Sequence, residues 1–165
     1  MKRIIVLIIV LFLVVGCGVS NTPTAKVEEV LMKYQRLDND INNGINEVIS
    51  AENLTEDHAK RYRDLLVKQY KNLLYDIKNE LINGNQATVS VQVEVYDYKN
   101  AISDMVFDSS IYTKEAYDEE KLNRLEGVTG KVNYLLDLTL TKDSEGVWHL
   151  SALTNDEIKK IQGMY

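Results

Sequence analysis

Apolar residues in the first half of the chain recur at three- and four-residue spacing, which is the period of an α-helix. One apolar stripe runs through residues 27–37 and continues as Ile41, Ile45 and Val48, with the polar stretch 38–44 as a candidate break. Thr22-Pro23 suits a helix start, because the threonine hydroxyl can cap free backbone amides and the fixed φ of proline matches the first helical turn. A further helix is predicted from Thr55, and its apolar face is Ala59, Tyr62, Leu66, Tyr70 and Leu73.

Further along, the period changes to two, which is typical of a strand with one buried face. The clearest alternation places apolar residues at every second position of 87–95, and Asn83-Gly84-Asn85 separates it from a first strand at 75–82. A second hairpin is predicted from strands at 132–140 and 147–153, which the turn residues 142–146 connect.

The charged stretch 103–126 lies between the two hairpins and has no clear apolar face, although 115–125 has helical tendency. We interpret it as a long connection. The chain ends in a short predicted helix, because Thr154 and Glu157 have capping-box spacing and Gly163 suits the stop. Residues 23–165 are therefore predicted to form one α+β domain: N-terminal helices packed on a curved antiparallel sheet of about four strands, then a short C-terminal helix.

The start of the chain has the composition of a lipoprotein leader. Lys2 and Arg3 precede an unbroken apolar run at 4–15, which is shorter than the roughly 20 residues of a membrane span. The junction Val14-Val15-Gly16-Cys17 resembles the bacterial lipobox, in which diacylglycerol is attached to the cysteine before cleavage. We predict that residues 1–16 are a signal peptide cut between Gly16 and Cys17, and that lipid on Cys17 anchors the protein to the extracytoplasmic face of a cell membrane.

Residues 17–22 would then be a tether, of which 18–22 can span at most roughly 17 Å. The alternative is an ordinary buried cysteine behind an uncleaved anchor. Removal of Lys2 and Arg3 with the leader leaves 17 basic against 25 acidic residues, a net charge of −8. This charge repels phosphate, so nucleic-acid binding is disfavoured and attachment to a membrane must come from the lipid. The single cysteine excludes an internal disulfide.

Candidate chemistry in the sequence is sparse, and we predict no catalytic residue, metal or cofactor. Residues 38–44 resemble a calcium loop only in part, because Asn43 stands where the turn needs glycine and Ile49 where the bidentate Glu should be. His58 and His149 have no partners at catalytic or zinc-binding spacing, and both are expected at the surface.

Four aromatic residues are the only candidates for the lining of a pocket, and each is also a candidate for ordinary core packing. They are Tyr34, Tyr62, Tyr70 and Trp148. An acid or base inside such a pocket has no support from the sequence, since Glu94 and Asp137 both fall on the polar phase of their strands.

The order of helices and strands, with the runs 138–142, Val147-Trp148-His149-Leu150 and 158–165, resembles small uncharacterised lipoproteins of low-GC Gram-positive bacteria. Those proteins are similar to the cone-shaped nuclear transport factor two-like fold, also called SnoaL-like. The resemblance implies a curved sheet around a helix and room for a pocket. It implies no reaction, because that fold supports enzymes and inert binding modules alike.

Three hypotheses for function remain open. The first is a non-enzymatic, membrane-tethered binding module of the cell envelope, with an envelope protein or a small apolar ligand as its partner. The second is a cone-fold enzyme or ligand carrier with a pocket between helices and sheet. The third is a lipoprotein that modulates export or sporulation machinery through an apolar sheet face. An open cavity with an inward carboxylate or histidine beside a tyrosine would favour the enzyme.

Overall fold

Three helices precede the sheet in the computed structural model, which describes residues 21–165. They are α1 (Pro23–Arg36), α2 (Asn39–Glu52) and α3 (Glu56–Lys71). The predicted leader 1–16, its cleavage site and Cys17 lie outside the described residues. The Thr22 hydroxyl accepts a hydrogen bond from the Ala25 amide, and the Thr55 hydroxyl accepts one from the His58 amide. Both predicted helix starts are therefore confirmed.

The break between α1 and α2 is narrower than the polar stretch 38–44. Leu37 has a φ of 55°, a left-handed conformation that ends α1, and α2 resumes two residues later. Gly44 consequently lies inside α2, where Ile45 is buried on the apolar stripe. The stripe is sufficient to continue the helix through polar residues, because only one face of α2 needs to be apolar.

The sheet has four antiparallel strands in the order β1-β2-β3-β4. Their bounds are β1 (Leu74–Asn83), β2 (Gln86–Tyr96), β3 (Lys131–Lys142) and β4 (Trp148–Leu150). Alternate residues of β2 and β3 point to the helices, and α1 and α6 both contact β2. The buried inward residues are Ala87, Val89, Val91, Val93, Val95, Leu136, Leu138 and Leu140. The prediction of an α+β domain with two hairpins is confirmed.

The first strand departs from simple alternation because its register shifts between Ile77 and Asn79. The shift places Glu80 opposite Val89, in the row that faces the helices. There the Glu80 carboxylate accepts hydrogen bonds from the backbone amide and the hydroxyl of Thr24, at 2.9 and 2.7 Å. A carboxylate is favourable at this position, since the free amides give a helix N-terminus partial positive charge.

The connection between the hairpins is more ordered than predicted. It contains the single turn α4 (Tyr98–Ala101) and the helix α5 (Lys114–Glu126). The predicted helical tendency of 115–125 is confirmed, and the interpretation of 103–126 as a long connection is correct only for its first half. Two leucines, Leu122 and Leu125, are buried where α5 packs against α3. This stripe is too narrow to be recognised from periodicity among so many charged residues.

The C-terminal helix α6 (Asn155–Gln162) has the predicted capping box of Thr154 and Glu157. It ends at Gly163, whose φ is 70° and which is buried against Tyr96 and Gln69. An added Cβ would collide with the Tyr96 carbonyl oxygen and the Gln69 amide. Glycine is required here for both its conformation and its size.

We expect Gly163→Ala to lower the free energy of unfolding by at least about 2 kcal/mol, because the backbone must shift and alanine disfavours positive φ. Gly44→Ala is the matched control, since its Cβ would meet no atom within 4 Å. That change should raise the free energy of unfolding by about 0.5–1 kcal/mol through helix propensity. Urea denaturation of both variants measures the difference, and equal effects would contradict this account of α6.

Candidate functional site

The two ends of the sheet have different surroundings. Both hairpin turns, at 84–85 and 143–147, lie at one end, which we call the turn end. The start of α1 is fastened there, because the Asn21 side chain donates to the Gly146 carbonyl and accepts from the Trp148 amide, at 2.8 and 3.0 Å. Residues 97–130 leave and rejoin the sheet at the opposite end, the connection end, where Tyr96 pairs with Lys131. The 11 residues of β2 separate the two ends by about 35 Å.

Apolar side chains are exposed together at the connection end. Val106 and Ile111 are 78% and 69% exposed, and the half-exposed rings of Phe107 and Tyr112 pack edge-on against Tyr117 of α5. We call this group the connection surface; it consists of Met105, Val106, Phe107, Ile111, Tyr112 and Tyr117. A group of exposed apolar side chains is a candidate interaction site.

A cavity of about 500 Å³ opens between this segment and α5. Its apolar wall includes Met105, Val106 and Tyr112. Its polar wall is Arg124, which donates to Asp104 and Glu120 at 2.7 and 2.8 Å. The guanidinium lowers the pKa of the Asp104 carboxyl, so this cluster stays ionised at neutral pH and fixes the segment on α5.

The environment of the connection surface is strongly acidic. Residues 103–120 contain six carboxylates and one lysine. The lysine, Lys114, pairs with Asp118 one helical turn away. Asp108 and Glu115 have no ion-pair partner within residues 21–165. The surface therefore combines exposed apolar groups with excess negative charge.

His58 lies in the interface of α3 and α5, and the expectation that it is at the surface is wrong. It is 5% exposed, and its Nε2 lies 3.0 Å from the Glu119 carboxylate. Its Nδ1 is buried without a hydrogen-bond partner among residues 21–165. α5 covers the imidazole ring, and the sequence of α3 alone does not indicate this contact. The second histidine, His149, is exposed as expected, beside Asp143 at 2.6 Å.

Arg61 completes the same interface with four hydrogen bonds to α5. It donates to Glu126 at 2.8 and 2.9 Å, to Glu119 at 2.7 Å and to Asn123 at 2.7 Å. Hydrogen bonds from His58 and then Arg61 hold the pKa of the Glu119 carboxyl below its usual value, and Arg61 does the same for the pKa of Glu126. The hydrogen bonds of this cluster join α3 to α5.

Two of the four predicted lining residues meet in a second cavity. Tyr34 and Tyr70 stand edge to face, with ring centroids 5.0 Å apart, and line a cleft of about 250 Å³ between α2 and α6. We call it the α2–α6 cleft. Tyr62 lines only a void of about 10 Å³, and Trp148 is buried beneath Lys142 near the start of α1.

The space between helices and sheet is filled. The inward side chains of β2 and β3 listed above are at most 4% exposed, and the sequence places no carboxylate or histidine among them. Glu94 and Asp137 lie on the outer face, where they pair with Lys131 and Ser90. Within residues 21–165, no three His, Cys, Asp or Glu side chains are grouped so that they could hold a metal.

Comparisons of the chain with protein-family models, with curated proteins and with solved structures found no match. No helix in the described part of the chain is both long and apolar enough to cross a membrane.

The connection surface is not among the site residues predicted from the sequence. A signal was present, because Val106, Phe107, Ile111 and Tyr112 are apolar residues in a polar connection without helical or strand periodicity. Apolar residues outside any periodic element have no predicted core to enter, so they are candidates for an exposed patch.

We expect Arg61→Gln to raise the equilibrium constant for local opening of α5, as measured by amide hydrogen exchange, about five-fold at pH 7. The reason is that the ion pairs of Arg61 with Glu119 and Glu126 are lost. Both carboxyl pKa values are lowered in the folded protein, so the pairs stabilise docking above the unfolded pKa and are lost as pH falls below about 4. The difference between the variant and the wild type should therefore shrink as pH falls, and only the pH-independent contribution of the Arg61–Asn123 hydrogen bond should remain. Amide hydrogen exchange of α5 measures this, with Arg63→Gln in the α2–α3 contact as control; a difference as large at pH 3 as at pH 7 would contradict it.

Proposed function

We propose that this protein is a lipid-anchored, non-enzymatic binding module of the cell envelope, which binds a cationic, apolar segment of another envelope protein at its connection surface. The proposal joins the lipobox-like sequence at Gly16-Cys17 to the geometry of the folded domain. The observation that carries it is the concentration of exposed apolar side chains at the end of the sheet opposite the start of α1.

The geometry favours a partner away from the anchoring bilayer. A lipid on Cys17 would be followed by a tether of only roughly 17 Å, so the turn end would stay near the membrane. The connection end lies about 35 Å further along the strands. The apolar cluster containing Val106 and Ile111 would accordingly face the envelope.

Charge indicates the chemistry of that partner. Asp108 and Glu115, the two carboxylates of 103–120 without an ion-pair partner within residues 21–165, repel anionic lipid headgroups and acidic proteins. They attract Lys or Arg, while Val106, Phe107, Ile111 and Tyr112 offer area to apolar side chains. A segment that carries both kinds of side chain matches both features.

Two alternatives have less support. The filled space beneath β2 and β3 disfavours a cone-fold enzyme, since no acid or base faces the helices from these strands, and Glu80 of β1 is bound to the start of α1 through Thr24. The outer face of the sheet gives less support for docking, because its exposed leucines, Leu74, Leu81 and Leu135, each lie opposite a polar residue of β2. In β2 and β3 this face consists of Gln86, Thr88, Ser90, Gln92, Glu94, Tyr96, Lys131, Asn133, Leu135, Asp137, Thr139 and Thr141.

Lipid attachment can be tested at the predicted modification site. Cys17→Ser should abolish metabolic labelling with an alkyne analogue of palmitate and leave the unprocessed precursor, because the thiol is the predicted attachment point for the lipid. Gel mobility and in-gel fluorescence measure both effects, and Ser20→Ala is a matched control that should be labelled and processed as wild type. Labelling of the Cys17→Ser chain would overturn the anchoring proposal.

The connection surface can be tested with a photocrosslinking residue, benzoylphenylalanine, at Ile111. We expect a discrete protein adduct in intact cells, and Val106→Asp should reduce its yield about ten-fold by placing charge in the contact. The matched position is Leu135, an exposed apolar residue on the outer sheet face, which should give no adduct. Mass spectrometry of the adduct should find a basic, apolar peptide; equal crosslinking from both positions, or crosslinking to lipid, would contradict the proposal.

A further inference from the structure

We infer that the α2–α6 cleft is a binding site for a small organic ammonium ion, an amine or quaternary ammonium with an apolar body. The cleft and the connection surface have no residue in common, so this inference goes beyond the proposed function and does not depend on it.

The cleft has an apolar interior of limited size. Its volume of about 250 Å³ lies just below the usual range of small-molecule sites, which indicates a ligand of about one ring. The aliphatic lining consists of Ile41, Ile45, Val48 and Ile158. A ligand that left water for this lining would gain from the hydrophobic effect.

Gly44 keeps one wall of the cleft open. Glycine weakens a helix interior, and no close approach of another group requires it here, because an added Cβ would meet no atom within 4 Å. Its neighbours across the cleft include Tyr34 and Gln162. The absence of a side chain at Gly44 therefore leaves room beside Tyr34.

The Tyr34 side chain offers a polar atom that the fold does not use. It is 9% exposed, and its hydroxyl has no hydrogen-bond partner among residues 21–165, whereas the Tyr70 hydroxyl accepts from the Gln162 amide at 3.2 Å. In the described part of the chain, only His58 Nδ1 is both sealed from solvent and unpartnered, so the Tyr34 hydroxyl is not sealed, and Tyr34 is a lining residue of the cleft. Burial raises the pKa of Tyr34 to about 12, which keeps the hydroxyl neutral.

Charge at the opening selects the ligand. Asp40 and Glu47, one on each side of Gly44 along α2, line the cleft and are exposed. Neither has an ion-pair partner within residues 21–165. A cation placed between these carboxylates would also lie close to two tyrosine rings, whose faces attract cations. An acidic opening above an aromatic and aliphatic floor matches an ammonium group on an apolar body.

Benzylamine is a suitable probe, and benzyl alcohol is its neutral counterpart of the same shape. The full chain, labelled with ¹⁵N and held in nanodiscs of zwitterionic phosphatidylcholine, is titrated with each. We expect saturable shifts of the amides of Gly44 and Tyr34 with benzylamine, and an affinity about five-fold or more lower for benzyl alcohol. Partition into lipid alone would not shift these amides in a saturable way.

Three variants separate the contributions of the two carboxylates, of the open cleft and of the connection surface to the binding of the probes. Asp40→Asn with Glu47→Gln should lower the affinity for benzylamine about five-fold and leave benzyl alcohol unchanged, since exposed charges act modestly. Gly44→Leu should remove binding of both by filling the cleft, and Val106→Asp at the connection surface should change neither. Equal affinity for both probes, benzylamine binding that Gly44→Leu leaves intact, or no saturable shift up to millimolar concentration would each overturn the inference. Loss of the crosslink at Ile111 with benzylamine binding intact would contradict only the proposed function.

Discussion

A buried amide ties the connection end of the sheet to the helices. Gln69 of α3 is fully buried, accepts from the Tyr96 amide at 2.9 Å and donates to the Tyr96 carbonyl at 3.2 Å. Gly163, at the end of α6, packs against the same two residues, and its carbonyl accepts from Lys99 at 2.8 Å. These bonds satisfy the buried side-chain amide of Gln69 and the backbone N–H and C=O of Tyr96, the last residue of β2. These contacts, which we call the Gln69 junction, set where α6 ends and where the chain leaves the sheet after β2.

Both the α2–α6 cleft and the connection surface depend on the Gln69 junction. The position of α6 determines whether Ile158 and Gln162 stand across from α2, and so whether the cleft above Tyr34 exists. The exit of the chain at Tyr96 directs residues 103–126 away from the hairpin turns and the start of α1.

The attachment of α5 differs in kind from the rest of the core. Between α1 and the sheet, contact is apolar, with Val27 and Leu31 completely buried. Between α5 and α3, two leucines are supplemented by His58, Arg61 and three side chains of α5. Exposed ion pairs contribute less than apolar burial and are screened by salt, so we expect α5 to open more easily than α1 separates from the sheet. Opening of α5 would rearrange the connection surface without disturbing the sheet.

The sequence by itself determined the local structure of this protein. Apolar spacing indicated α1, α3 and the strands of both hairpins, and cap residues such as Thr22, Thr55 and Thr154 marked helix starts, because these signals act between residues close in the chain. It also supplied the candidate aromatic residues. Only the tertiary structure decided that Tyr34 and Tyr70 share a cleft with α6 while Tyr62 and Trp148 do not, that α5 covers His58, and that a register shift turns Glu80 toward α1. The reason is that periodicity reports whether a side chain is buried but not against what, and contacts between distant segments follow from register, packing and the path of the chain, which no single segment encodes.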